Sequence, residues 1–315
     1  MTDERAGGNG YSHEPVMLKE VLELLAPTPG KRFLDLTLGG GGHTEALLER
    51  VGSGGQVVTV DRDEEVLLGT SARLRQRFEN VRFFSADFGQ LEELSEELEG
   101  ARFDGVLMDI GVSSLQLDDA GRGFSFQKDG PLDMRMDRTQ TVTAAHLLNH
   151  LPEEELARIL REYGEERKAS RLAREIAKAR AEKPFQWTGE LVAICERVVG
   201  KGKQRIHPAT RTFQALRIAV NAELTALASA MATMPKMLEG GGVVLVLSYH
   251  SLEDRIVKRY FRSGADQGLY QVLTRKPLRP TPEEVERNRR ARSARLRAAR
   301  RTGQPGENIR SGGEP

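Results

Sequence analysis

The chain has 315 residues, 38% of them hydrophobic, which suffices for one large core or for one core carrying an inserted unit. A net charge of only +1 excludes whole-molecule steering of nucleic acid, so any basic surface has to be local; the single cysteine, Cys195, excludes an internal disulfide and fits a cytoplasmic protein. No run of about 18 apolar residues and no charged-then-apolar leader is visible, so neither membrane spanning nor secretion is expected.

Residues 1–12 are polar and glycine-bearing and read as a flexible tail. Met17, Leu18, Val21, Leu22 and Leu25 recur at helical spacing, and the helix stops before Pro27. The apolar strand Phe33-Leu34-Asp35-Leu36 then runs through Thr37 and Leu38 into Gly39-Gly40-Gly41-Gly42-His43-Thr44, a turn that opens a helix over Glu45–Val51. Glycine has no Cβ and tolerates positive φ, so such a turn lets a ligand lie against backbone and beside the first N–H groups of the helix. The next strand, Gln56–Val60, delivers Asp61, 22 positions after Gly39, where a Rossmann-type unit sets a carboxylate on a ribose diol.

Which nucleoside cofactor this serves follows from two absences. A dinucleotide fingerprint would need glycine at Thr44 or Glu45, which argues against a nicotinamide-dependent oxidoreductase, and a phosphate-cradling P-loop would need lysine where His43 stands. S-adenosylmethionine, an adenosine without phosphate, suits the looser pattern.

A helix over Glu64–Arg77 leads to a third strand, Val81–Ala86, ending on Asp87-Phe88, and a fourth, Phe103–Met108, ends on Asp109. Alternating strands and helices predict an α/β fold, a parallel sheet covered on both faces, with ligands outside the carboxyl ends of its strands. Asp61, Phe88 and Asp109 all fall there. The alternation then breaks, and 115–216 reads as a helical insert: Leu151–Tyr163, Lys168–Lys183, a helix capped by Thr188 and running to Val199, and one long helix from Thr212 toward Met231. Gly240-Gly241-Gly242 leads into a fifth strand, Val243–Leu247, and Ser251 with Asp254 reads as the capping box of a helix over Leu252–Phe261. Residues 13–114 and 217–301 thus form a Rossmann-like methyltransferase domain, and 302–315 a second flexible tail. Between Arg275 and Arg301 eleven Lys or Arg stand against Glu283, Glu284 and Glu286, a stretch equally consistent with a solvated face and a phosphate-contacting one. Thr281 and Pro282 start a helix there, and Ala294, Leu296 and Ala298 alternate as an edge strand.

Asp109 precedes Ile110-Gly111-Val112-Ser113-Ser114, where many amino-group methyltransferases carry an acid or amide. The lone pair of a base's exocyclic amine is delocalised into the ring, and a carboxylate accepting its N–H hydrogens would aim that pair at an electrophilic methyl. Lys201, Lys203, Arg205, His207 and Arg211 crowd one Gly- and Pro-bearing loop suited to phosphates. His250, at the end of the fifth strand, is either an acid/base group or a hydrogen-bonded structural residue. Neither the histidines nor Cys195 have metal-ligand spacing.

Gly41-Gly42-His43, Asp61-Arg62-Asp63, Asp109 to Asp119, Arg122-Gly123-Phe124-Ser125-Phe126, Asp129 to Asp137, Tyr163-Gly164-Glu165-Glu166, His207 to Gln214 and His250 to Arg255 together resemble the bacterial ribosomal RNA small subunit methyltransferase H family, over Ser12 to Arg301. The resemblance implies S-adenosylmethionine-dependent methylation of the N4 amine of one cytidine in small-subunit (16S) ribosomal RNA near the decoding centre; whether the substrate is free RNA or the assembled small ribosomal subunit stays open. It implies Gly41, Gly42, His43, Asp61, Phe88, Asp109 and Gln116 as cofactor contacts and an insert that recognises substrate. It also implies a loop from Asp118 to Asp137 lying over the active site, with Asp133, Arg135 or Asp137 near the target base. Asp109, Asp133 and His250 are then the candidate catalytic groups, and transfer is direct, since N4 is itself the nucleophile and Cys195 lies in the wrong segment to attack a base. Tyr249 departs from the phenylalanine expected before His250. A ribosome assembly factor using the cofactor only structurally would share every motif, and oligomeric state stays open.

Overall fold

The structure, a computed structural model, describes residues 14–200 and 206–303. The tail at 1–12, most of the one at 302–315, and Lys201, Lys203 and Arg205 lie outside the described residues.

The chain runs α1 (Leu18–Leu25), β1 (Arg32–Asp35), α2 (Gly42–Val51), β2 (Gln56–Asp61), α3 (Glu64–Arg75), β3 (Val81–Ser85), α4 (Leu91–Glu97) and β4 (Phe103–Asp109). Six helices follow: α5 (Ser114–Asp118), α6 (Ala144–His150), α7 (Glu153–Glu162), α8 (Ala169–Glu182), α9 (Thr188–Val199) and α10 (Thr210–Asn221). The chain returns through α11 (Glu223–Met237), β5 (Leu238–Ser248), α12 (Ser251–Asp266), β6 (Tyr270–Val272), α13 (Pro282–Arg287) and β7 (Arg295–Arg301).

One seven-stranded sheet has the order β3-β2-β1-β4-β5-β7-β6, with β7 antiparallel to both of its neighbours and the remaining pairs parallel. Strand order reverses between β1 and β4, so the loops leaving these two strands open a crevice at their carboxyl ends. Side chains on alternate strand positions serve opposite faces. Leu34, Val58, Val106, Met108, Val244 and Val246 pack against α4, α11 and α12, while Phe33, Val57, Leu107, Leu245 and Leu247 pack against α1 and α2. Burial on both faces explains why β4 and the second half of β5 are nearly unbroken apolar runs.

A separate apolar core joins α6 to α10, built on Leu148, Leu156, Leu160, Leu172, Ile176, Leu191, Cys195 and Leu216. Cys195 is buried there, and its thiol is pushed up to about 11 by burial. No single helix among the described residues is long and apolar enough to cross a membrane.

Several local expectations are corrected. The helix expected from Thr212 toward Met231 is two helices, α10 and α11, bent by 56° at Ala222, which is left-handed at φ 47°. The break is held by Asn221: its amide donates to Met134 O at 2.7 Å and its Oδ1 accepts from Met136 N at 2.8 Å. Helical periodicity carries no sign of such a tertiary clamp. The strand expected at Ala294 to Ala298 is internal rather than an edge, because β6 pairs with its continuation at Ala299–Arg301 and the segment after β6 bonds to it through Leu273, Thr274 and Leu278. Of the arginines in this region, Arg297 on β7 pairs with Asp254 at 2.6 Å, while ahead of the strand Arg290 pairs with Asp118 at 2.8 Å and the exposed Arg287 with Glu14 at 2.9 Å. Thr188 does not cap α9; its hydroxyl accepts from Gly130 N and donates to Asp129 Oδ1, both at 3.0 Å. His250, not Ser251, caps α12.

Candidate active site

The glycine turn leaves β1 beside the end of β2. Gly41 caps α2 at φ 78°, and a Cβ there would meet Thr70 Cγ2 at 2.6 Å, so the position demands glycine on both counts. Three acids organise the turn, Asp35 and Asp63 buried and Asp61 half-buried at the cavity. Asp35 accepts from Thr37 N at 3.1 Å and from the Thr44 hydroxyl at 2.7 Å, and burial pushes its carboxyl up to about 6. Asp61 accepts from Gly39 N at 2.9 Å through Oδ2 and from Asp63 N at 3.0 Å through Oδ1; burial raises it to about 6 against those two bonds. Asp63 caps α3 and accepts from Gln116 Nε2 at 2.7 Å.

Asp109 ends β4 across the crevice, its backbone N–H bonded to Thr37 Oγ1 at 2.6 Å. Burial pushes its carboxyl up to about 7, opposed by a hydrogen bond that the Tyr249 hydroxyl donates to Oδ1 at 2.7 Å. His43, on α2, is 3.7 Å from Oδ2 through Nδ1. Its Nε2 lies 3.0 Å from Val16 O, which can only accept, so the ring carries its proton on Nε2 and turns a bare Nδ1 toward Asp109. Burial lowers the His43 pKa and keeps the ring neutral.

Glycine turn, Asp61, Phe88, Asp109, Gln116 and Tyr249 line one cavity of about 980 Å³. That is near the upper end of small-molecule sites, roughly 300–1,000 Å³, and leaves room for an acceptor group beside a nucleoside cofactor. Its carboxylates suit a ligand bearing positive charge and disfavour a pyrophosphate. Beyond Tyr249 the wall is formed by Arg217, Glu223 and Glu253. Arg217 binds Glu223 through two bonds of 2.8 and 2.7 Å and lies 3.9 Å from Glu253. Glu223, His250 and Glu253 bring ligand atoms within 4.8 Å of one another, but the Arg217 guanidinium already supplies the balancing positive charge.

The structure thus brings together Gly41, Gly42, His43, Asp61, Phe88, Asp109 and Gln116 around one cavity. Gln116 spends both ends of its amide within the protein, accepting from Ser113 N at 3.0 Å and donating to Asp63, so it shapes the wall. Asp133 and His250 are not among the lining residues. Asp133 grips Arg135 through bonds of 2.7 and 2.8 Å, which hold it below the ordinary carboxylate range despite the opposing effect of burial. His250 is 9% exposed and interlocked with Glu253, with Nε2 at 2.9 Å from Oε1. His207 stacks on Phe126 at 4.7 Å and meets Glu196 at 3.3 Å, and Arg211 donates to Glu165 O at 3.3 Å. Sequence reasoning missed Arg217, Glu223 and Tyr249 as wall residues and Asp35 as the buried acid behind the turn. Only Tyr249 carried a signal, as a polar side chain in a place where an apolar one was expected.

The model of the MraW methylase family matches residues 10–302. The chain is 48% identical over 308 residues to the ribosomal RNA small subunit methyltransferase H of Syntrophotalea carbinolica, covering 92% of this chain and 98% of that one. It is 47% identical over 307 residues to the protein of the same name in Pelobacter propionicus, with coverage of 92% and 98%. Among solved structures, Aeropyrum pernix fibrillarin with natively bound S-adenosyl-L-methionine is 12% identical at a TM-score of 0.41, covering 89% of this chain and 74% of that one.

Proposed function

Because the chain belongs to the MraW methylase family, we propose that it methylates the N4 amine of a cytidine in small-subunit ribosomal RNA, with S-adenosylmethionine as its cofactor. The observation that carries this reading is the Asp109 carboxylate, set at the end of β4 in a cavity of about 980 Å³ that opens from the glycine turn.

The cavity fits the cofactor by its donor set. Asp61 offers a carboxylate for a ribose diol, Gly41 and Gly42 offer close backbone, and Phe88 offers an apolar face for an adenine. When bound, the cofactor supplies a methyl group made electrophilic by a sulfonium. The chain does the rest. Asp109 accepts an N–H hydrogen bond from the exocyclic amine, which turns the nitrogen lone pair out of the ring system. With a pKa raised to about 7, the same carboxyl is matched to holding the proton the amine releases. A target base reaches such a cavity only when flipped from its stack, so the helical unit, 115–216, is assigned to holding the RNA while Arg217 and Glu253 meet the base's polar edge. Lys201, Lys203, Arg205, His207 and Arg211 are assigned to phosphates, and Asp133 and His250 to positioning rather than proton transfer.

The test is transfer of labelled methyl from S-adenosylmethionine to small ribosomal subunits lacking the modification, followed by nucleoside analysis. Label in N4-methylcytidine is the expected result. Tight cofactor binding without transfer to subunits or free RNA would replace the enzyme with an assembly factor.

A further inference from the structure

Asp109 carries a problem that its own strand does not solve. It is a largely desolvated carboxylate whose only hydrogen-bond donor among the described residues is the Tyr249 hydroxyl, at 2.7 Å from Oδ1. An anion in such a place needs donors to offset lost hydration. The groups packed around it offer none. Asp35, beneath it at the end of β1, and Glu253, on α12, are acids that disfavour its charge. His43, on α2, is neutral and presents a bare Nδ1. Glu284, on α13, is bonded to Met17 N, and Arg217 and Arg290 are paired with Glu223 and Asp118.

We propose that Tyr249 is the positioning residue of Asp109: its hydroxyl fixes Oδ1, offsets part of the carboxylate's lost hydration, and leaves Oδ2 as the oxygen that meets the acceptor amine. The inference rests on the methyl-transfer reading above and deepens it by naming what sets the charge and orientation of its central carboxylate.

The backbone is shaped for this contact. Gly111, two residues past Asp109, has φ 135°, and a Cβ there would stand 3.2 Å from the Tyr249 ring, so only glycine lets the ring lie flat against this turn. From the other side, Glu253 accepts the Tyr249 backbone N–H at 2.8 Å, which ties the residue to the start of α12. The phenol cannot compete for the proton it helps to manage. Burial and the adjacent Asp109 push its own ionisation well above the usual range, so it stays a donor wherever the enzyme works. A half-buried ring pinned between Gly111 and the start of α12, with its one polar atom aimed at a carboxylate oxygen, makes a fixed, one-directional hydrogen bond.

Tyr249→Phe removes that single oxygen. With aspartate carboxyl carbons labelled with ¹³C and Asp109→Asn used to identify the resonance, the Asp109 midpoint in the variant is expected to rise by roughly 1 pH unit, the size of a hydrogen bond to a charged group. The acid limb of single-turnover methyl transfer should move up by the same amount, and the variant should regain rate as pH rises. An unchanged midpoint overturns the proposal, as does a uniform loss of rate at every pH. A shifted midpoint without a shifted limb overturns it too, because Asp109 would then be uncoupled from transfer. If the wild-type protein methylates no RNA, the functional reading falls instead, while the midpoint still reports on the Tyr249–Asp109 bond.

Discussion

Arg122 Nη2 lies 2.6 Å from Asp63 Oδ2, with 5% and 2% of the two side chains exposed, so a buried ion pair fastens the loop after α5 to the turn after β2. The same nitrogen donates to Arg135 O at 3.0 Å and Met136 O at 3.1 Å. One guanidinium thereby joins the cavity wall, through Asp63 and Gln116, to the segment carrying Asp133.

Arg122→Ala strands the Asp63 carboxylate in the interior and should cost about 3–5 kcal/mol, the usual penalty for removing one partner of a buried pair. Urea unfolding measures it. Adding Asp63→Asn should recover part of the loss by removing the uncompensated charge; a single variant within about 1 kcal/mol of wild type would mean the pair does not fasten the loop.

Asp109 makes opposite demands on activity and stability. Its folded pKa of about 7 lies above the ordinary value of 3.8, so the native state binds a proton more tightly than the unfolded chain. Stability from this group is full below pH 3.8 and is lost as pH rises through about 7, whereas activity needs the anion and falls as pH drops below about 7. Asp109→Asn should therefore abolish the acid limb, slow transfer by roughly 10²–10⁴-fold, and at pH 8 be more stable than wild type by up to about 4 kcal/mol. At pH 4 the two should unfold alike. Equal stability at both pH values would show that the carboxylate is better solvated than its surroundings indicate.

Gly41→Ala forces a Cβ into left-handed backbone and against Thr70. The expected cost is about 1–3 kcal/mol of strain, accompanied by at least tenfold weaker binding of S-adenosylhomocysteine, read by calorimetry. Gly54→Ala is the control, since a Cβ there meets nothing nearer than 4.0 Å and the residue is not among those lining the cavity. Equal affinities for the two variants would sink the claim that this turn's shape sets binding.

How much of this was legible in the sequence depended on range. Phe103–Asp109 and Val243–Leu247 announced themselves because strands buried on both faces leave long apolar runs. Asp61 and Asp109 were legible because strand ends and a glycine turn fix where acids must fall. Tyr270–Val272 was not, since three residues carry no periodicity. The bend at Ala222 was hidden because Asn221 is held by Met134 and Met136, 87 and 85 residues away in sequence. His250 was ambiguous until its ring was seen capping α12, where Ser251 had looked the better cap. Arg217 and Glu223 stayed unremarked because a bidentate pair six residues apart looks like any other surface pair until a helix break swings it into a cavity wall.

The charge-dense loop gives the last prediction. Lys201, Lys203 and Arg205 crowd a short stretch of sequence between α9 and α10, followed by His207 and Arg211, which are engaged with Glu196 and Glu165. Engaged side chains resist being drawn onto a phosphate, so the three residues before them should carry the electrostatic part of RNA affinity. Replacing all three with Ala should weaken RNA binding and flatten the dependence of log K on log salt by about 2, since each phosphate of a single strand left without its cation lowers the slope by about 0.7. Affinity for S-adenosylhomocysteine should be unchanged, because the cofactor cavity is built from the glycine turn and the ends of β2 and β4. A slope that stays as steep as wild type, measured from about 50 to 200 mM salt, would move the phosphate-binding surface elsewhere, with the exposed arginines near β7 as the next to neutralise.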